Sequence, residues 1–330
     1  MPRSRAFELG NRCLTGMMLA CSFSATVLAQ PYPSRMVTVI VPSGPGGASD
    51  IVARIVAKEL TNETKQPFVV VNQPGTSNVP LRSVLTAPPD GYVTYMSTAT
   101  SSLATIQVFV KDLPFDTVKD LAPISLIGNA DSVLVVPTAL PVKTVADLVQ
   151  LAKAKPGSLN YAATNTGSTG QMTMELFKLL AKVNIVGVNY KQAGQILPDL
   201  TSGRIDAWIT PIPVVMSTIN SGKVRALGTT GTVRSQFFNG VPTIAETPEL
   251  RDYEVLTAYA LFTRAGVSRP VIDRLNSLIR GVVALPAVKD QLAKQGVESM
   301  ASEPEVVREL LIRYIAKWSA VVKAAGIATD

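Results

Sequence analysis

Apolar positions along the chain switch repeatedly between a period of two and a period near 3.6. Val37-Thr38-Val39-Ile40-Val41 is a β-branched run that ends in Pro42-Ser43-Gly44-Pro45-Gly46-Gly47. Ile51, Val52, Ile55, Val56 and Leu60 then fall on one helical face, with Arg54, Lys58 and Glu59 off it. The pattern predicts strand 37–41 and a helix over 49–62. It continues with strand 68–72, the polar turn Gln73–Asn78, a short helix at 80–86, the turn Pro88-Pro89-Asp90-Gly91-Tyr92, strand 93–96 and a loop over Ser97–Ser102. Strands at 124–127 and 133–136 precede a helix that Thr144 opens and Pro156-Gly157 stops. Strand 159–163, a polar loop at 164–170 and a helix over 171–181 follow. Strand 185–188 leads through loop 189–194 into a helix ending near Ser202. Strand 205–209, helix 213–220 and strand 224–229 complete this half. Tyr253–Phe262 reads as extended. From Pro270 the chain is helical over 269–284, 286–295 and 303–325, with Pro286 and Pro304 suited to first helical positions. Leu311, Ile315, Trp318 and Val322 form an i, i+4 row that suits core packing.

Strands alternating with helices predict an α/β protein. The sequence has no short repeat, no low-complexity tract and no long flexible linker. Strand-like segments near 130 and 255 join two halves, so the expected domains are 30–130 with 256–330, and 131–255. The C-terminal helices are expected to return to the first half.

Ser, Thr and Gly gather after successive strands, and open α/β sheets bind ligands outside the carboxyl ends of their strands. The helix that begins after Gly46 and Gly47 has, at its N-terminus, unpaired N–H groups and the positive end of its dipole, which suits an anion and makes Ala48, Ser49 and Asp50 candidate ligand-binding residues beside the glycines. The two glycines remove Cβ atoms that would keep a ligand off the backbone. Thr164-Asn165-Thr166-Gly167-Ser168-Thr169-Gly170 repeats the arrangement more than 100 residues on, a second candidate cradle. Each stretch also reads as a plain βα turn without a ligand. Asp50 has two readings, a helix-dipole partner or an acceptor facing the cleft. Lys191 reads either as a partner for a distal carboxylate or as a solvated surface lysine.

Of the 330 residues, 47% are hydrophobic and 17% charged, which argues against disorder. The formal net charge of +7 is spread along the chain without a basic run, so a nucleic-acid partner is not expected. Arg3, Arg5 and Arg12 precede the apolar stretch Cys13–Leu28, and Val27-Leu28-Ala29 ends it with a small residue. This predicts a leader over 1–29, cut before Gln30, and an exported, periplasmic protein. Lipoprotein processing at Cys21 is the alternative. Both cysteines lie in the leader, and the chain has no histidine. A mature chain therefore lacks thiol nucleophiles, disulfides, Cys/His zinc sites and histidine bases. No catalytic residue, metal or cofactor is expected.

Tyr32-Pro33-Ser34 followed by Pro42, Pro45-Gly46-Gly47 and Asp50 resembles the start of the Bug family, exported solute-binding proteins of tripartite tricarboxylate transporters. So do Pro89-Asp90-Gly91-Tyr92, Pro114-Phe115-Asp116 with Lys119-Asp120, Ala152-Lys153-Ala154-Lys155-Pro156-Gly157, Glu175-Leu176-Phe177 and Tyr190-Lys191. Gly203 with Asp206, Gly222-Lys223-Val224-Arg225-Ala226-Leu227, Val241-Pro242-Thr243 with Glu246, and Trp318 with Ala324-Ala325-Gly326-Ile327 extend the match over essentially the whole mature chain. The resemblance implies a type II periplasmic-binding fold, with two α/β domains and a ligand cleft between them. It implies a small carboxylate ligand (a di- or tricarboxylate, an acidic amino acid or an aromatic acid) and membrane transporter subunits as partners. The chain is expected to act as a monomer. Carried over by position, Ser43 to Asp50 opposes Thr164 to Thr169, and Thr98, Tyr190 and Gln192 line the cleft. Ser43, Gly46, Gly47 and Ala48 with Thr166, Gly167, Ser168 and Thr169 are then the expected carboxylate donors. The sequence departs from the family pattern in the loop after the second strand, where glycines are missing, and at Gln171 and Thr210. Those departures leave the ligand's identity open. Two other roles compete: a ligand sensor for a signalling receptor, and an exported enzyme using Ser and Lys on carboxylates.

Overall fold

A computed structural model of the chain describes residues 32–73, 78–163, 168–190, 193–327 and 329. The leader expected at 1–29 and its cleavage point lie outside these residues. In chain order the elements are β1 (Val37–Val41), α1 (Ala48–Thr64), β2 (Phe68–Asn72), α2 (Asn78–Leu85), β3 (Val93–Thr98), α3 (Ala104–Phe109), β4 (Leu121–Ala130) and β5 (Ser132–Pro137). They continue with α4 (Val145–Ala154), β6 (Asn160–Ala163), α5 (Thr169–Ala181), β7 (Val186–Asn189), α6 (Ile196–Thr201), β8 (Ala207–Pro211), α7 (Ile212–Asn220) and β9 (Val224–Thr229). The chain closes with β10 (Thr257–Arg264), α8 (Arg269–Ala284), α9 (Pro286–Ala293), β11 (Val297–Ser299) and α10 (Pro304–Ala325).

Two sheets result. The first has strand order β11-β4-β10-β3-β1-β2 and the second β7-β6-β8-β5-β9. In the first, β1 pairs in parallel with both β2 and β3, and β10 runs antiparallel to β3. The second repeats the plan: β6 pairs in parallel with β7 and β8, and β5 runs antiparallel to β8. The chain leaves the middle strand to one side, then returns to the other. The carboxyl ends of β1 and β6 are therefore both points where strand order reverses, the place where open α/β sheets form crevices.

Several elements differ from the sequence expectations. Ser97–Ser102 is not a loop: β3 runs through Thr98, and Ala99–Leu103 forms a π-helical turn leading into α3. Thr98 makes this possible by capping the turn, its Oγ1 accepting the Ser102 N–H at 3.1 Å. Polar composition predicts a loop here, yet Thr98, Thr100 and Ser101 are buried. Strand β4 extends well beyond 124–127, and its antiparallel partner β11 had no expectation at all. Three residues are too few to show a period. Their close approach requires Gly128, where a Cβ would lie 2.4 Å from the Glu298 carbonyl oxygen.

The chain passes from the first sheet to the second at Asp131 and returns between β9 and β10. Thr230 ties the two passages together. Its N–H donates to the Ser132 carbonyl at 3.0 Å, its Oγ1 accepts the Ser132 N–H at 3.0 Å, and its carbonyl accepts the Val255 N–H at 2.9 Å. Beside it, Asp131 and Glu298 line a cavity of about 270 Å³. Burial, with the Glu298 charge nearby, pushes the Asp131 carboxyl up to about 6. The folded protein thus retains a proton that the unfolded chain gives up near pH 4. Its contribution to stability is full below about pH 4 and is lost as pH rises through about 6. Urea denaturation is expected to show Asp131→Asn more stable than the parent at pH 7, with the difference shrinking toward pH 4. A constant difference across that range would contradict the assignment.

Helix α10 packs across both halves. Leu311, Tyr314, Trp318 and Val321 are buried in one core with Tyr95 and Phe262 of the first sheet and Leu134 and Val136 of the second. The C-terminal helices were expected to return to the first half; α10 also meets α5 of the second. No helix among the described residues is long and apolar enough to cross a membrane.

Candidate functional site

The strand-to-helix turn after β1 is built from backbone and one carboxylate. Gly46 adopts φ +81°, a left-handed conformation that favours glycine, and Gly47 caps α1 with extended backbone and no side-chain hydrogen bond. The Gly47 N–H closes the turn on the Gly44 carbonyl at 3.1 Å. The Gly46 N–H donates to Asp50 Oδ2 at 2.9 Å. Asp50 Oδ1 accepts from Arg54 Nε at 2.9 Å and from Asn72 Nδ2 at 2.8 Å. The same Asn72 amide nitrogen donates to the Ser43 carbonyl at 3.0 Å, and Asn72 Oδ1 accepts from Arg54 Nη2 at 2.9 Å.

Asp50 is therefore only 2% exposed, and its two oxygens are engaged from three directions. Burial acts to raise its pKa, but the bonds from Arg54, Gly46 and Asn72 outweigh it and hold the carboxyl below the usual value. Asp50 thus faces the turn and the helix start. This also redistributes the donors expected at the first cradle. The Gly46 and Gly47 N–H groups are used inside the turn, while those of Ala48, Ser49 and Asp50 meet no acceptor among the described residues. Two more polar atoms at these strand ends, Ser43 Oγ and Gln73 Oε1, are buried without a hydrogen-bond partner among the described residues. Buried polar atoms are seldom left so.

At the carboxyl end of β6 the arrangement recurs. Ser168 caps α5, its Oγ accepting the Gln171 N–H at 3.3 Å. The N–H groups of Thr169 and Gly170 meet no acceptor among the described residues. Thr164, Thr166, Gly167, Lys191 and Gln192, all singled out from the sequence, lie outside the described residues.

Two further candidates are turned to other work. The Thr98 hydroxyl accepts from Ser101 Oγ at 2.6 Å as well as from the Ser102 N–H, and donates to Ser102 Oγ at 2.9 Å. That accounts for its donor and both acceptor positions. The Tyr190 hydroxyl donates to Asp199 Oδ2 at 2.8 Å, and Asp199 in turn pairs with Arg204 at 2.7 Å. Sequence reasoning missed Asn72 and set Arg54 aside as off the apolar face. A polar residue closing a buried strand, next to an acidic helix start, was the available clue.

Comparison with known proteins places this architecture. The model of the tripartite tricarboxylate transporter family receptor matches residues 52–327. A UPF0065 protein from the tcbD-tcbE intergenic region of Pseudomonas sp. strain P51 is 31% identical, over 98% of this chain and 97% of its own length. Protein BugT of Bordetella pertussis is 31% identical, over 94% of this chain and 96% of its own. Among solved structures, R. palustris Rpa4515 with adipate superposes with a TM-score of 0.77 at 30% identity, covering 91% of this chain and 100% of that one. MatC from Rhodopseudomonas palustris with bound malate gives 0.72 at 26% identity, covering 88% and 100%. Periplasmic binding protein BugD, 23% identical with a TM-score of 0.74, shares the fold. The type II periplasmic-binding fold, with its two α/β sheets and their helices, is the one observed. With a family model spanning most of its length and relatives aligned almost end to end, the chain belongs to the Bug family of tripartite tricarboxylate transporter receptors.

Proposed function

We propose that this protein is a periplasmic solute-binding protein that captures a small carboxylate and delivers it, unchanged, to transporter subunits in the membrane. The first lobe is 30–130 with 256–330 and the second 131–255; the ligand lies between them, and the leader is removed before Gln30. The protein acts as a monomer. The observation that carries the reading is the pair of helix starts, α1 after β1 and α5 after β6. Each has N–H groups that meet no acceptor among the described residues, at a strand-order reversal. Such a terminus concentrates donors and positive potential without a cationic side chain. The N–H groups of Ala48, Ser49, Asp50, Thr169 and Gly170 donate to the carboxylates, with Ser43 Oγ beside the first site. Adipate and malate in the similar structures support an acid of this size.

Asp50 sharpens the ligand class. Its carboxylate is buried and already accepts three hydrogen bonds from the turn, the helix and Asn72, so it is poorly placed to accept from a ligand's ammonium. Dicarboxylates without an amino group are expected to bind more tightly than aspartate or glutamate. Mass spectrometry of small molecules released from the purified protein should find an organic acid. Thermal unfolding across an acid panel should show one stabilising ligand; at 100 times its Kd the gain is about 2.7 kcal/mol. Recovery of a chemically altered acid, or no stabilisation by any member of the panel, would contradict the proposal.

A further inference from the structure

The proposed donors at the α1 start belong to a turn with no side-chain cap of its own. Gly47 at the cap supplies no side-chain acceptor, so no cap bond fixes the entering chain. Here a residue on the neighbouring strand supplies the fixing. Asn72 ends β2, and one amide group reaches both sides of the turn: the Ser43 carbonyl at its entry and the Asp50 carboxylate at its exit. Ser43 and Asp50 lie seven positions apart, so these two bonds set the span of the whole turn. The amide is itself oriented by Arg54, whose Nη2 bonds Asn72 Oδ1 while its Nε bonds Asp50 Oδ1. Asp50 then passes the restraint to the Gly46 N–H.

We propose that Asn72 is a positioning residue for ligand binding, locking the Ser43–Asp50 turn so that the Ala48, Ser49 and Asp50 N–H groups point at the ligand's carboxylate before it arrives. This rests on the carboxylate reading given above. Asn72 touches the turn and not the ligand; it acts by removing the ordering cost that a loose turn would charge against each binding event. Arg54 is the second member of the lock. Because Asn72 Nδ2 donates to two acceptors at once, neither Asp nor Ala can replace it. A carboxylate at 72 faces Asp50 Oδ1 and the Ser43 carbonyl with no proton to give.

The test compares the parent with Asn72→Ala, Asn72→Asp and Arg54→Met by calorimetric titration with adipate and with malate, well below each protein's unfolding temperature. The parent's own titration comes first. If it binds neither probe nor any acid of a wider panel, the carboxylate reading fails and the role of Asn72 falls with it. If it binds, Asn72→Ala is expected to weaken affinity about tenfold, and Asn72→Asp more than that, each lost hydrogen bond to a charged group being worth roughly a factor of ten. Arg54 is half exposed, so Arg54→Met keeps the fold while freeing the amide to turn, and is expected to weaken binding about threefold. Adding Asp50→Asn to Asn72→Asp restores a donor opposite the new carboxylate and should recover part of the loss. A purely structural role would lower the unfolding temperature without this rescue and leave affinity unchanged. Amide exchange at Gly46 in the ligand-free protein should quicken in Asn72→Ala and Arg54→Met. Unchanged affinity in Asn72→Ala and Arg54→Met, with the parent binding, overturns the proposal.

Discussion

Replacing Asp50 with Ala is expected to weaken acid binding by about a hundredfold while costing the fold only about 1–3 kcal/mol. Two opposing effects meet here. The substitution removes a negative charge near the proposed anion site, which by itself would favour binding. It also frees the Gly46 N–H, releases the Asn72 amide from one of its acceptors and leaves Arg54 in solvent. The charge term is small, because the carboxylate is already paired with Arg54 and bonded by two further donors. The geometric term covers every N–H of the first helical turn, so it dominates. The modest stability cost follows from the exposure of Arg54 and Gly46, which water can solvate once Asp50 is gone. Titration with adipate or malate, alongside urea denaturation, separates the two quantities. Tighter binding by both Asp50→Ala and Asp50→Asn would show that repulsion wins and that the turn holds its shape unaided.

The largest loss of stability is expected from Trp318→Ala, about 3–5 kcal/mol in chemical denaturation. Trp318 is fully buried, and its indole N–H donates to the Thr100 carbonyl at 2.8 Å. Its ring meets Tyr314 edge-on, with centroids 5.7 Å apart. Thr100 in turn bonds both the Leu256 carbonyl and the Ala258 N–H, and the Tyr314 hydroxyl accepts the Leu256 N–H. One side chain of α10 thereby supports the π-helical turn after β3 and, through it, the passage back from the second sheet. Trp318→Phe keeps most of the volume and loses the bond, so it should cost about 1–3 kcal/mol. A loss below about 1 kcal/mol for Trp318→Ala would mean that the site collapses around the cavity or that the network carries little.

Much of this architecture could be read from residue order. The β-branched run at 37–41, the glycines at 46 and 47 and the helical period after them specify β1, the turn and α1 with almost no tertiary help. Thr144 with Asp147 fixes the start of α4 in the same local way, as a capping box. What escaped was set by distant partners. The turn at 99–103 is buried against α10, so its Thr and Ser serve each other instead of water. Strand β11 exists because β4 offers an edge and Gly128 lets it close in. At the site, helix starts were legible because donors there are backbone groups that any sequence supplies. Which first-turn N–H groups meet no acceptor among the described residues was not, since that depends on Asp50 reaching back to Gly46 and on Asn72, twenty-two positions away, reaching across to both ends of the turn. Thr98 shows the converse: a hydroxyl in the right place by sequence, turned to capping by its neighbours.

The most direct test of the account follows backbone amide resonances during titration of the isotope-labelled protein with adipate and with malate. Ala48, Ser49 and Asp50 in one half and Thr169 and Gly170 in the other should shift together, saturating at a single Kd. Shifts confined to one helix start, or to neither while binding is measured by calorimetry, would contradict capture of one acid between the two.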